Sequence, residues 1–262
     1  MQAVGSLLQD DATCIATLKS SGIDRPAKLD GQTYASYAAR FEGRIIKCMI
    51  QHDGGKGSFI EYVPDKLDTW GIFLEGKTSA AWIFEHWEAT DAMLKGIELN
   101  KFKLKDYGVP YGFSLLIFGC KEELEKDPEL VSAFLRACEK GFHEAAKDDI
   151  AAAELFLTAV SKEHQHDSVS LVPEQVRESQ KIIGKYYVAE SGEWGRICKK
   201  KAKTFFDWLS GSGLLTTLMQ SRNPVPGVST TLDELRDGDP GRPVPTEEVN
   251  PDEIFTNKYF SD

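Results

Sequence analysis

The chain has 262 residues, 41% hydrophobic and 10% aromatic, enough to bury one large core or two smaller ones. A formal charge of -10 argues against a partner held by phosphate neutralisation, since nucleic-acid binders gather Lys and Arg into a footprint; the one basic run, residues 199–203, reads as a solvated face. No apolar run reaches the roughly 18 residues of a membrane span.

The start, MQAVGSLLQDDATC, has neither a basic leader region nor an arginine-rich transit character, so a cytoplasmic location is expected. Residues 2–8 and 14–19 read as strands. A turn at Asp30 and Gly31 introduces another strand ending near Tyr37, and residues 38–51 have helical spacing in Phe41, Ile45, Cys48 and Met49. Residues 59–63 form the next strand, 65–74 a helix, and 79–84 a strand, giving alternation typical of an α/β fold with largely parallel pairing. A helix after Trp87 stops at Gly96. Residues 106–118 begin irregularly, with Gly108 and Pro110, and continue into an apolar run suited to a buried strand.

From there the chain reads as mostly helical. Asp127 and Pro128 open a helix with Leu130, Phe134, Leu135, Cys138 and Phe142 on one face, and residues 150–160, 173–187 and 194–209 supply three more. From Asn223 a Pro-rich acidic tail follows, with Ile254, Phe255, Tyr259 and Phe260 as docking points.

The densest chemistry lies in residues 81–88, AWIFEHWE, which place Trp82, Glu85, His86, Trp87 and Glu88 at a strand and its carboxyl end. Ligands of open α/β sheets sit outside such ends; an indole offers a flat face and a carboxylate accepts bonds from an amino group. The alternative is an ordinary packed strand end. Residues 34–40, YASYAAR, offer a strand-to-helix turn that could hold an anion near Ser36 and Arg40, or a plain turn. Residues 54–57, GGKG, read as a turn. His164, His166 and Asp167 are metal-ligand types, but the two imidazoles at i and i+2 lie on one side only of an extended chain with no further ligand nearby, and the segment reads as a polar loop; no metal site is expected. Five cysteines, Cys14, Cys48, Cys120, Cys138 and Cys198, form no CxxC pair and no disulfide frame. Neither a GxSxG elbow nor a cysteine nucleophile signature is present.

The segments LDGQTYASY, AWIFEHWEAT and DYGVPYGFSLLIFGCKEELEKDPELVSAFLRA resemble, in order and spacing, the periplasmic-binding-protein-like family of thiamine-pyrimidine proteins. That family includes formylaminopyrimidine-binding proteins of importers and a fungal hydroxymethylpyrimidine phosphate synthase. The resemblance implies a type II two-lobe fold, with residues 1–23 and 108–222 as an incomplete first lobe, 24–107 as the second, and 223–262 as the tail. It implies that Trp87 and Glu88 line a pyrimidine pocket, that Tyr111 faces it, and that Ser36 and Tyr37 contribute from the second lobe, with Trp82 and Glu85 beside them.

Two departures bear on chemistry. The family's N-terminal βαβ segment, of the order of eighty residues, has no counterpart here, and in the synthase it carries the pyridoxal-phosphate lysine and the substrate histidine. The synthase's cysteine-rich iron motif aligns with residues 106–114, which contain no cysteine. The expectation is therefore a non-catalytic binder of a pyrimidine-like small molecule that uses no cofactor. Its alternatives are a divergent enzyme of pyrimidine or pyridoxal-phosphate metabolism and an interaction protein with a dead pocket. The incomplete lobe is expected to expose a strand edge at residues 2–8 and an apolar face at 113–118, and so to form a homodimer or hetero-complex there.

Overall fold

The computed structural model describes residues 1–65, 68–112, 115–163, 171–221, 223–237 and 240–260. Phe113, Ser114 and the histidine-containing residues 164–167 lie outside them. The chain begins with β1 (Gln2–Ser6) and crosses directly to β2 (Thr13–Leu18), which is buried from Thr13 through Thr17.

The main sheet adds β3 (Thr33–Ala35), β4 (Ile60–Tyr62), β5 (Ala80–Phe84) and β6 (Leu99–Phe102), in the order β4-β3-β5-β2-β6. Pairing is parallel where a helix makes the crossover: α1 (Glu42–His52) joins β3 to β4, and α2 (Thr69–Leu74) joins β4 to β5. The expectation of largely parallel pairing is corrected at β2 and β6. These strands carry the chain into and out of the lobe, and β2 runs antiparallel to both β5 and β6. Strand β6 itself gives little sequence signal, because its four residues, LNKF, bury only Phe102.

The amphipathic face of α1 explains one side of the sheet. Ile45, Ile46, Met49 and Ile50 recur at helical spacing and pack with Ile15, Tyr34 and Ala80. On the other side α2 and α3 (Glu88–Leu94) cover Cys14, Ala16, Ala35, Ala81 and Ile83, with Phe73 at the centre. The alternation along β5 decides these faces: Ala81 and Ile83 look one way, Ala80 and Trp82 the other.

In the first lobe β1 pairs antiparallel with β7 (Leu116–Gly119), followed by α4 (Lys121–Lys126), α5 (Pro128–Lys147), α6 (Asp149–Glu163), α7 (Pro173–Tyr187) and α8 (Lys199–Gly211). The open edge expected at the first strand is corrected: every residue of β1 is buried. The Ser6 N–H donates to Gly195 O at 2.8 Å, and Phe255 bridges Ala3 in parallel while the Thr256 N–H donates to Ala3 O at 2.9 Å. The tail thus closes the edge, and Phe255 and Tyr259 are buried in doing so. Burying such a ring contributes about 1.5–3 kcal/mol.

Three further expectations are corrected. Strand β7 is not a buried strand, since Leu115 beside it and Phe118 within it are exposed. Of the proposed apolar face of α5 only Leu135 is buried, whereas Leu130 and Phe134 are exposed to solvent. Trp194 precedes α8 instead of starting it: it bridges Val188 and stacks on Phe142 at 4.7 Å. The basic run opens α8 and does more than face solvent, because Lys199 pairs with Asp252 and Lys201 donates to Gln9 O, fastening the helix to the tail and to the lobe crossing.

Candidate ligand cleft

Parallel register explains which residues meet. Because β4, β3 and β5 run in one direction, the segments that follow them emerge at one edge of the sheet. Asp68, Thr69 and Trp70 follow β4, Tyr37 follows β3, and Trp87 and Glu88 follow β5. Together with Asp91 of α3, Lys95 just past its end, and Gln175 of α7 they line a cleft of about 380 Å³, within the range of small-molecule sites. Gln175 reaches in from the first lobe and donates to Trp87 O at 3.3 Å.

Three aromatic rings, Tyr37, Trp70 and Trp87, therefore surround carboxylates. Trp87 is 38% exposed and lines the cleft. The Trp70 indole N–H donates to Asp91 at 2.8 Å, and Asp91 also pairs with Lys95 at 2.7 Å, which commits that carboxylate. Asp68 caps α2 by accepting the Gly71 N–H. Glu88 accepts the Phe84 N–H at 2.8 Å through one oxygen. Burial pushes the Glu88 carboxyl above its ordinary range, with that backbone bond pulling the other way. Such a group gains from a cationic or N–H-donating ligand that compensates its desolvation.

The other sequence candidates are used differently. Ser36 is fully buried, its hydroxyl bonded to Glu61 and accepting the Ala38 N–H at 2.9 Å. The anion-holding turn exists, with Ala38 in the left-handed region at φ 56°, but the chain fills it itself. The carboxylate of Glu42 accepts the N–H groups of Tyr37 and Ala39 at 3.1 Å, and the Tyr34 hydroxyl at 2.7 Å. Arg40 donates instead to Thr216 at 2.7 Å.

Trp82 and Tyr111 meet each other, edge to face at 5.5 Å, and Tyr111 meets Phe205 of α8 at 5.6 Å. They do not line the cleft with Trp87, since Trp82 lies mid-strand on the α1 side. Glu85 belongs to the lobe junction. It pairs with Lys103 at 2.8 Å and Lys101 at 3.2 Å and accepts the Tyr186 hydroxyl at 2.7 Å. Trp70, Asp68 and Asp91 do not stand out in the sequence; the available signal is a Trp just after the start of a helix that follows a short strand.

A larger cavity of about 780 Å³ lies at the end of β1 beside the start of α8. Its ionic groups largely satisfy one another or the backbone: Arg196 pairs with Glu193, Lys201 holds Gln9 O, and Asp10 pairs with Lys105. Tyr186 is the aromatic side chain there, so it offers less for stacking a ring than the smaller cleft. Among the described residues no group of three His, Cys, Asp or Glu side chains could hold a metal ion, and no helix is long and apolar enough to cross a membrane.

The family described as NMT1/THI5 like matches residues 1–152. A formylaminopyrimidine-binding protein of Halalkalibacterium halodurans is 22% identical over 208 residues, covering 79% of this chain; the chain spans 62% of that relative's length. Among solved structures, the alkanesulfonate-binding protein SsuA of Xanthomonas axonopodis pv. citri, bound to MOPS, superposes with a TM-score of 0.57 at 13% identity, covering 81% of this chain and 69% of its own. A protein of Bordetella bronchiseptica RB50 does so with a TM-score of 0.59 at 14% identity, covering 98% and 72%. At these identities the likeness shows the fold, that of type II periplasmic binding proteins.

Proposed function

The chain belongs to the NMT1/THI5 like family, and from that premise we propose that it is a non-catalytic binding protein for a flat nitrogen heterocycle carrying an amino group, a pyrimidine or close relative. The observation that carries this reading is the delivery of Tyr37, Trp70, Trp87 and Glu88 to one cleft by three parallel strands. The rings suit stacking, and Glu88 suits an amino donor whose bond offsets the burial of its charge. The match to a formylaminopyrimidine-binding protein supports the same ligand class.

Calorimetric titration with an aminopyrimidine and its formylamino derivative tests it. Binding tighter than about 1 mM is expected, weakened at least about tenfold by Trp87→Ala, in keeping with a stacked aromatic contact. Glu88→Gln keeps an acceptor for the Phe84 N–H and removes the charge, so it is expected to cost about 1–3 kcal/mol of binding. No heat at millimolar ligand, or equal affinity in both variants, overturns the reading.

A further inference from the structure

Helix α6 carries apolar surface that the rest of the chain leaves open. Its sequence, DIAAAELFLTAVSKE, is apolar on almost every side, yet only Ala153 is buried, and Leu155 is 71% exposed, Ile150 62% and Phe156 51%. A helix of that composition normally lies inside a core. One flank is already used, with Ala153 packed inward and Glu154 paired to Arg177 of α7 at 2.6 Å.

The outward stripe has a symmetry of its own. With 3.6 residues per turn, Ala151, Leu155, Ala159 and Lys162 follow one another along the helix face opposite Ala153, and Asp148, the residue that caps the start of α6, stands just before that stripe. Ala151 and Ala159 each stand four residues from Leu155, and Asp148 and Lys162 each stand seven. A two-fold axis through Leu155 therefore places each alanine opposite the other copy's alanine, and each Asp148 opposite the other copy's Lys162. Among the described residues Lys162 has no acid partner, and Asp148 uses Oδ1 to accept the Ala151 N–H at 2.9 Å, leaving its other oxygen for a cation.

We propose that this face binds a second copy of the chain, the two α6 helices packing antiparallel about Leu155. Small residues on both sides let the helices approach to roughly 8 Å, antiparallel dipoles attract, and an ion pair closes each end. The interface is self-complementary in charge although the whole chain carries -10, whose general repulsion opposes association and makes the local pairing decisive. A contact limited to about four helical turns is smaller than a standard interface, so the dimer is weak and reversible, with a dissociation constant on the order of 10–100 µM.

Sedimentation velocity of the full chain up to about 300 µM tests this, the expected mass rising from 29.2 kDa towards twice that value. Leu155→Asp is expected to raise the dissociation constant at least about tenfold. Lys162→Glu and Asp148→Lys are each expected to weaken self-association, while mixing the two variants restores a heterodimer, because both ion pairs are then re-formed. Loss of folding cannot produce that restoration. A chain that stays monomeric up to that concentration assigns the face to a different partner and overturns the proposal, as does a dimer indifferent to Leu155→Asp or a mixture that remains monomeric.

Discussion

Asp11 lies where the chain crosses from β1 to β2, 8% exposed, its Oδ1 accepting the N–H and hydroxyl of Thr13 at 3.0 and 2.7 Å. Burial pushes its carboxyl up to about 6, against the pull of both Thr13 bonds. A folded-state pKa above the unfolded one makes ionisation costlier in the native protein. The penalty is absent below the unfolded value of 3.8, grows as pH rises towards 6, and is complete above it. Asp11→Asn keeps an acceptor and removes the charge. It is expected to be more stable than the parent by roughly 1–3 kcal/mol at about pH 7.5 and to lose that advantage near pH 4. Urea midpoints at the two pH values check this; an equal shift at both contradicts it. Glu85 shows the opposite balance. Burial again raises its carboxyl, but bonds from Lys103 and Tyr186 and the charge of Lys101 outweigh it and hold the group below its ordinary range. That ionised carboxylate ties the end of α7 to the main sheet, so of the two glutamates in EHWE only Glu88 is left to the cleft.

The turn between β3 and α1 illustrates how an element can satisfy its own ligand site. The left-handed Ala38 concentrates the N–H groups of Tyr37 and Ala39, and Glu42 in the first turn of α1 returns its carboxylate to them. Glu42→Ala empties the turn and takes the acceptor from the buried Tyr34 hydroxyl and from the half-exposed N–H groups of Tyr37 and Ala39; the buried hydroxyl alone is expected to cost about 1–3 kcal/mol. The variant is expected to melt lower than the parent and to regain part of the loss in about 0.1 M formate, a small carboxylate that fits the vacated turn. A melting temperature independent of formate in the variant contradicts this account. Sequence spacing locates the turn, because a strand followed by small residues and a helix start has open N–H groups. It does not reveal that the anion is Glu42, since a carboxylate at the first residue of α1 reads equally as a favourable charge near the helix start. Strands β2 and β5 are legible for the same kind of local reason: their buried runs are nearly unbroken. Strand β6 is not, and of β7 the strand is legible but its exposure is not, because both depend on neighbours far away in the chain.

At the scale of the whole molecule, the two-lobe fold is legible through the order of motifs and the docking residues of the tail through their apolar character, while the place where they dock is not. Phe255 and Tyr259 stand in a tail of prolines and acids, and their value lies in where β1 needs cover, more than two hundred residues earlier. The same scale separates the site residues. Strand direction gathers Tyr37, Trp70, Trp87 and Glu88 at one edge, and strand alternation sends Trp82 to the core with Tyr111. The central claim is that this edge, and not the larger cavity beside α8, holds the ligand. A structure of the chain crystallised with an aminopyrimidine tests it most directly. The account predicts the ring stacked within about 4 Å of the Trp87 indole, with its amino group on the Glu88 carboxylate. A ligand found instead among Lys185, Arg196 and Lys201 in the larger cavity contradicts it.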